Sequence, residues 1–197
     1  MSFLVTKEAP GFTATAATAE HGVDDHFALS SLRGNYVILL FYPLDFTFVC
    51  PTEILAFEER IEDFRRRDCQ VVGLSVDSHF THLAWRKTPK DAGGIGQIRF
   101  PLIADLDKNI ARSYGVLLND SVALRGLFLI DREGIVRHAT VNDLPLGRNV
   151  DEALRMLDAL RFHETRGEVC PANWQDGEPG MAPTDEGVAK YLSKFIK

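Results

Sequence analysis

The sequence predicts an α/β fold, a mixed sheet flanked by helices, with an extended C-terminal arm. Three observations lead there. Tyr36-Val-Ile-Leu-Leu-Phe-Tyr-Pro43 is a continuous β-branched and aromatic run, the mark of a strand covered on both faces. Strand-like and helix-like patterns then alternate, and a hairpin and one more helix follow. From Glu164 onward the chain is rich in Pro, Gly and charge, which fits an arm rather than another core layer.

Each element has its own reason. Residues 3–15, with Pro10-Gly11 and scattered apolar side chains, read as irregular edge structure. Residues 25–31 read as a short strand before a turn at Arg33-Gly34-Asn35. After the central strand comes the clearest helix, 51–67, where Ile54, Phe57, Ile61 and Phe64 recur at helical spacing and Leu55 widens the stripe. Glu53, Glu58 and Glu59 lie early in it and Arg65, Arg66 and Arg67 late, as the helix dipole favours. Pro51 suits the first helical position, where a missing N–H costs nothing. Residues 70–76 form a second buried strand ending at Asp77. A helix over 79–87 follows, then a loop with Pro89 and Gly93-Gly94-Ile95-Gly96, then a short helix over 107–114. Residues 122–130 and 135–141 read as strands joined by Asp131-Arg132-Glu133-Gly134, a hairpin turn by composition. Residues 149–163 are amphipathic through Val150, Leu154, Leu157 and Leu160. The order predicts a thioredoxin-like arrangement. One domain spans 1–163, and the arm, 164–197, ends in a short helix over 188–195.

Composition narrows the function. Hydrophobic residues make up 45% and charged residues 25%, near the average for a soluble globular protein. The balance of 22 basic and 28 acidic residues is −6, and positive charge concentrates only at Arg65-Arg66-Arg67. A nucleic-acid binder is expected to show a basic stripe, so that class is excluded. The longest apolar run is far too short to span a membrane. The N-terminal segment has one basic residue, Lys7, and no apolar stretch before a cleavage site, so no secretory signal is expected. A reducing, cytoplasmic setting follows.

In that setting three cysteines do not make a disulfide scaffold. Cys50, Cys69 and Cys170 form no close pair, and no His falls three or four residues from Cys50 or Cys170, so no zinc site is expected. His79 and His82 are three apart on a helix, but no third ligand is suggested, and surface or core roles are expected for them. Cys50 precedes Pro51 at a helix start, as N-cap or first-turn residue, where unpaired N–H groups and the dipole favour an anion. The same position also suits an inert thiol that acts as a small hydrophobe. Position alone leaves both open.

The flanking residues point further. Phe41-Tyr-Pro-Leu-Asp-Phe-Thr-Phe-Val-Cys-Pro-Thr-Glu53 holds Pro43, Thr47 and Cys50 at the spacing P-x-x-x-T-x-x-C. This resembles the active-site motif of typical two-cysteine peroxiredoxins, and the resemblance covers nearly the whole chain. It extends through Val76-Asp-Ser-His-Phe80, Leu83-Ala-Trp85, Arg125, Val141-Asn-Asp-Leu-Pro145, Gly147-Arg148 and Gly167-Glu-Val-Cys-Pro171.

The resemblance implies a peroxidase for hydrogen peroxide and small organic hydroperoxides. Cys50 would be the attacking thiol, and Thr47, Arg125 and Pro43 would complete the site. Thr47 can accept from the peroxide and donate to the thiolate, Arg125 supplies a fixed cation, and Pro43 shields the pocket. Glu53 and Arg148 would orient Arg125. Read singly, Thr47 is a loop hydroxyl, Glu53 a first-turn acid and Arg148 a loop residue, whereas an arginine in an apolar strand needs a partner. Cys170 would be the resolving cysteine, supplied by the partner subunit of a homodimer, with Pro171 and Trp174 anchoring the arm. A thioredoxin-like protein would be the reductant, and a ring of five dimers is a further implied assembly. No cofactor or metal is implied.

Cys69 and Trp85 are expected in the core. A thiol–disulfide oxidoreductase is the nearest rival, but Cys50-Pro-Thr-Glu53 lacks the second cysteine of C-x-x-C. A holdase is a second activity that the resemblance also suggests. Gly93-Gly94-Ile95-Gly96 resembles the glycine loop of peroxide-sensitive members. Their C-terminal Tyr-Phe pair is Tyr191-Leu192 here, which implies intermediate sensitivity.

Overall fold

Small residues, not large ones, open the sheet. In the structure, a computed structural model that describes residues 3–19 and 22–196, β1 (Thr13–Ala17) pairs antiparallel with β2 (Val23–Ala28). The expectation of irregular structure over 3–15 therefore fails at its end. Ala16 and Ala17 are fully buried, yet they carry too little apolar area to stand out as a strand pattern. β3 (Tyr36–Phe41) is buried at every position, as its composition requires.

The helix expected over 51–67 is two helices, α1 (Cys50–Glu59) and α2 (Ile61–Arg65). At Arg60, with φ −99° and ψ 10°, the chain steps out of the helical ladder and restarts, held by Arg60 Nε on Asp63 Oδ2 at 2.6 Å. The stripe survives the step, since Ile54, Phe57, Ile61 and Phe64 are all buried. Cys50 is the first helical residue and Pro51 the second, one place later than expected. Asp68, at φ +54°, ends the turn that follows α2.

β4 (Cys69–Ser75) lies beside β3, and α3 (His79–Lys87) matches its expected span. Ser78 caps α3 by accepting from Thr81 N. β5 (Leu102–Ala104) was not legible, being three residues long directly after Pro101. α4 (Asn109–Ser113) is capped from a distance by Asp105, whose two oxygens accept from Ile110 N and Ala111 N. The strand expected over 122–130 is divided. β6 (Leu117–Leu118) and β7 (Val122–Ala123) form a small separate sheet, and β8 (Arg125–Ile130) starts afresh after Leu124, whose N–H turns to Val116 O. β9 (Val136–Asn142) completes the hairpin around Gly134, at φ +82°, where a Cβ would run into the Arg33 guanidinium.

The seven strands run β2-β1-β5-β4-β3-β8-β9 across the sheet. β3, β4 and β5 are mutually parallel, while β1, β8 and β9 each pair antiparallel with a neighbour. The sheet is mixed, as expected. Its parallel centre gathers strand ends at one edge, and the chain leaves β3 there to enter the loop before Cys50.

Contacts within the chain divide it into two compact units, Met1–Val150 and Asp151–Lys197. The second consists largely of α5 (Val150–Arg166) and the arm. α5 runs three residues past its expected end and stops at Gly167, in the left-handed conformation with its N–H on His163 O. In the arm, Trp174 is buried and tilts on Phe162 at 4.9 Å, with Arg155 Nη1 on its carbonyl, so its anchoring place is as expected. The last helix is α6 (Asp185–Leu192), earlier than expected, with a 3-10 turn over Ser193–Phe195. Tyr191 finds an aromatic neighbour in Phe195, not at position 192. Among the described residues no helix is long and apolar enough to cross a membrane.

Candidate active site

Cys50 is 0% exposed at the head of α1. The turn that carries it is closed on one atom: Val49 O accepts from Thr52 N (3.1 Å), Glu53 N (3.2 Å) and Thr52 Oγ1 (2.6 Å). α1 brings Glu53 round to the same side as Cys50, one turn on. β8 brings Arg125 from across the sheet, because its first residue stands beside the exit of β3.

There Arg125 Nη1 lies 3.4 Å from Cys50 Sγ and 2.7 Å from Glu53 Oε2, while its Nε donates to Leu144 O at 2.7 Å. Glu53 in turn is held by Arg148, through Nε to Oε1 (2.7 Å), Nη2 to Oε2 (3.0 Å) and the backbone N–H to Oε1 (2.9 Å). The second Arg148 amino group, Nη1, donates to Phe41 O and Gly126 O, the carbonyls at the ends of β3 and β8. All three charged side chains are buried. Burial draws the Arg148 guanidinium below its usual range, and Glu53 opposes that shift. The set carries two positive charges and one negative, so an anion at Cys50 Sγ would bring it to neutrality.

Of the residues singled out in the sequence, Cys50, Glu53, Arg125 and Arg148 thus form one hydrogen-bonded cluster. Pro43 is buried in the loop between β3 and α1. Thr47 differs from expectation: its hydroxyl donates to Leu44 O at 2.9 Å, which leaves the oxygen as an acceptor and not a donor towards Cys50. Cys69 is buried in β4 and Trp85 in α3, where its Nε1 donates to Gly93 O. Cys170 is half-buried in the second unit, with Sγ 3.4 Å from Ala159 O. Burial pushes its thiol up, and the Arg155 charge pulls the other way.

Sequence reasoning missed two features. One is Leu144, which acts through its carbonyl, a group every residue has and no pattern reports. The other is a buried polar set under the Cys50 loop. His82 Nδ1 meets Asp45 Oδ2 at 2.7 Å, Tyr42 OH donates to Asp45 Oδ1 at 2.8 Å, and Asp45 N donates to Asp77 Oδ2. His82 Nε2 faces Ile103 O, so it carries a proton. Polar residues in apolar surroundings at 45 and 82 were the available signal. Among the described residues no group of three or more His, Cys, Asp or Glu is placed to hold a metal ion.

Known proteins resemble the chain over nearly its whole length. Residues 5–139 match the AhpC/TSA family, and residues 159–194 match the C-terminal domain of 1-Cys peroxiredoxin. Alkyl hydroperoxide reductase C of Helicobacter pylori (strain J99 / ATCC 700824) is 56% identical over 192 residues, 97% of either chain. Peroxiredoxin-2 of Mus musculus is 53% identical over 191 residues, 96% of either chain. The reduced 2-Cys peroxiredoxin of Plasmodium vivax superposes with a TM-score of 0.96 at 51% identity, over 98% of this chain and 100% of that one. AhpC of Enterococcus faecalis gives 0.80 at 32% identity, over 86% and 100%.

Proposed function

From the premise that the chain belongs to the AhpC/TSA family, we propose that it is a thiol-dependent peroxidase whose attacking group is Cys50. One observation carries the reading: a buried cysteine at a helix start shares a guanidinium with a carboxylate that is itself clamped by a second guanidinium. The Cys50 thiolate attacks one peroxide oxygen, the O–O bond breaks, and the departing oxygen leaves with the electron pair and takes a proton. Cys50 becomes a sulfenic acid. Arg125, fixed between thiolate and carboxylate, is aimed where the leaving oxygen gains charge, and the dry site strengthens that interaction. Thr47 accepts from the peroxide proton, Pro43 keeps water out, and Glu53 and Arg148 hold Arg125 in place.

Cys170 then attacks the Cys50 sulfur, expelling water and forming a disulfide, and a thioredoxin-like dithiol restores both thiols. The matched C-terminal family is named for one-cysteine proteins, yet this chain carries Cys170 within the matched span. In this reading residues 164–197 are the arm that presents Cys170 to the partner of a homodimer. The outer edge of β9 supports the pairing: it ends the sheet, Val141 on it is exposed, and open strand edges favour a second strand. Phe48 (90% exposed), Phe80 (72%) and Leu106 (66%) leave apolar surface in water, which supports assembly beyond the dimer, up to a ring of five dimers. Three free thiols suit a reducing cytoplasm.

The test is peroxide-dependent NADPH consumption with a thioredoxin system. Cys50→Ser should abolish it and Cys69→Ser should leave it nearly intact. Equal losses in the two variants, with folding unchanged, would remove Cys50 from its place.

A further inference from the structure

The end of β9 holds a residue that the reaction has not yet used. Asn142 is the Cα partner of Arg125 in the β8–β9 pairing. Its side chain does not reach Arg125. Nδ2 donates instead to Leu146 O at 3.1 Å and, more weakly, faces Gly147 O at 3.4 Å. Both partners are carbonyl oxygens, so the amide must present its nitrogen. This closes residues 142–147 into a ring. Inside it Leu146 N donates to Asp143 O and Leu144 N to Asp143 Oδ1.

That ring has two working outputs. The Leu144 carbonyl receives Arg125 Nε, and the residue leaving the ring, Arg148, donates its backbone N–H to Glu53. The rest of the loop is exposed, with Asp143, Pro145, Leu146 and Gly147 all open to water. The Asn142 amide and the bonds within the turn tie together the loop that carries the Leu144 carbonyl. Gly147 lets the ring approach the Cys50 turn closely, since a Cβ there would stand 3.3 Å from Val49.

We infer that Asn142 is a positioning residue for the peroxidase reaction: its amide clasps the 142–147 loop so that the Leu144 carbonyl sets the Arg125 guanidinium against Cys50. This rests on the reading of the site given above. A guanidinium is planar, so fixing Nε fixes the direction of both amino groups. Loss of the clasp loosens the hold on Nε and leaves Glu53 as the remaining protein anchor of the fork, so the distance from Nη1 to sulfur and peroxide is set less tightly.

The experiment is stopped-flow oxidation of Cys50 by hydrogen peroxide in Asn142→Ala, Asn142→Asp and Asn142→Gln, each made with Arg125 intact and in the Arg125→Lys background. With Arg125 intact, Asn142→Ala should lose about tenfold in rate, the size of one hydrogen bond that orients a reacting group. Asn142→Asp keeps the size but turns an acceptor towards two carbonyls, so it should be at least as slow. Asn142→Gln keeps the donor on a longer stem and should lie between alanine and wild type. In the Arg125→Lys background these differences should vanish, because there is no fork left to orient. A fold defect would instead slow both backgrounds alike, and that result, or Asn142→Asp reacting faster than Asn142→Gln, overturns the inference. A wild-type protein that reacts with peroxide no faster than a free thiol would strike the reading of the site itself and is distinguished by that control.

Discussion

Arg125 is bound on three sides, by the Leu144 carbonyl, by Glu53 and by the Cys50 sulfur, and only a planar fork can meet all three. Lysine would bring a point charge without the directions. Arg125→Lys should therefore slow Cys50 oxidation by about 10²-fold or more, the cost of losing one preorganised donor to a developing anion. Stopped-flow oxidation near the wild-type rate would show that charge alone suffices. The second thiol has its own control. In the proposed cycle Cys170 attacks as thiolate, and burial raises its pKa above the ordinary thiol range. The sign follows: the thiolate fraction is small at neutral pH and grows as pH rises through that raised value, so disulfide closure should accelerate with pH. Arg155 holds the shift in check, and Arg155→Ala should move the rise to higher pH and slow closure at neutrality, leaving Cys50 oxidation unchanged. Rapid-quench measurement of disulfide against pH checks this, and an unmoved pH profile in Arg155→Ala would rule it out.

At the scale of elements, α3 illustrates what a sequence states openly. A Ser N-cap precedes it, basic residues close it, and Trp85 and His82 fill its inner face. Ser78→Ala should cost about 1 kcal/mol of stability in urea unfolding, since Thr81 N then loses its acceptor. β3 was equally open, because a strand covered on both faces must be apolar throughout. β1 and β5 were not. One is built of alanine and threonine, the other is three residues long, and each exists because a neighbouring strand edge is waiting for it. The long helix hid its break at Arg60 for the opposite reason: the apolar stripe, which is what periodicity reads, continues across it. The site divides in the same way. Cys50, Glu53, Arg125 and Arg148 were legible because they are side chains in a recognisable order. Leu144 acts through its backbone, and the commitment of the Thr47 hydroxyl to Leu44 O depends on loop geometry that no residue type encodes.

For the whole molecule, the two thiols lie in different compact units of the chain, and the proposed cycle joins them across a two-fold partner. Stoichiometric peroxide should convert the protein to a disulfide-linked dimer on a non-reducing gel, and Cys170→Ser should prevent that while still losing its Cys50 thiol to the first equivalent. A wild-type band that stays monomeric would point to a bond within one chain or to none. The Cys50 turn adds a consequence for how temperature acts on this cycle. Peroxide is small enough to react inside a closed site, but a protein thiol cannot meet a sulfur that is 0% exposed until the three bonds on Val49 O let go. Closure then carries the heat dependence of a local opening step in addition to that of its chemistry, and oxidation does not. Chilling therefore lengthens the life of the sulfenic acid more than it slows its formation. The same dose of peroxide should drive more Cys50 to sulfinic acid in the cold than in the warm.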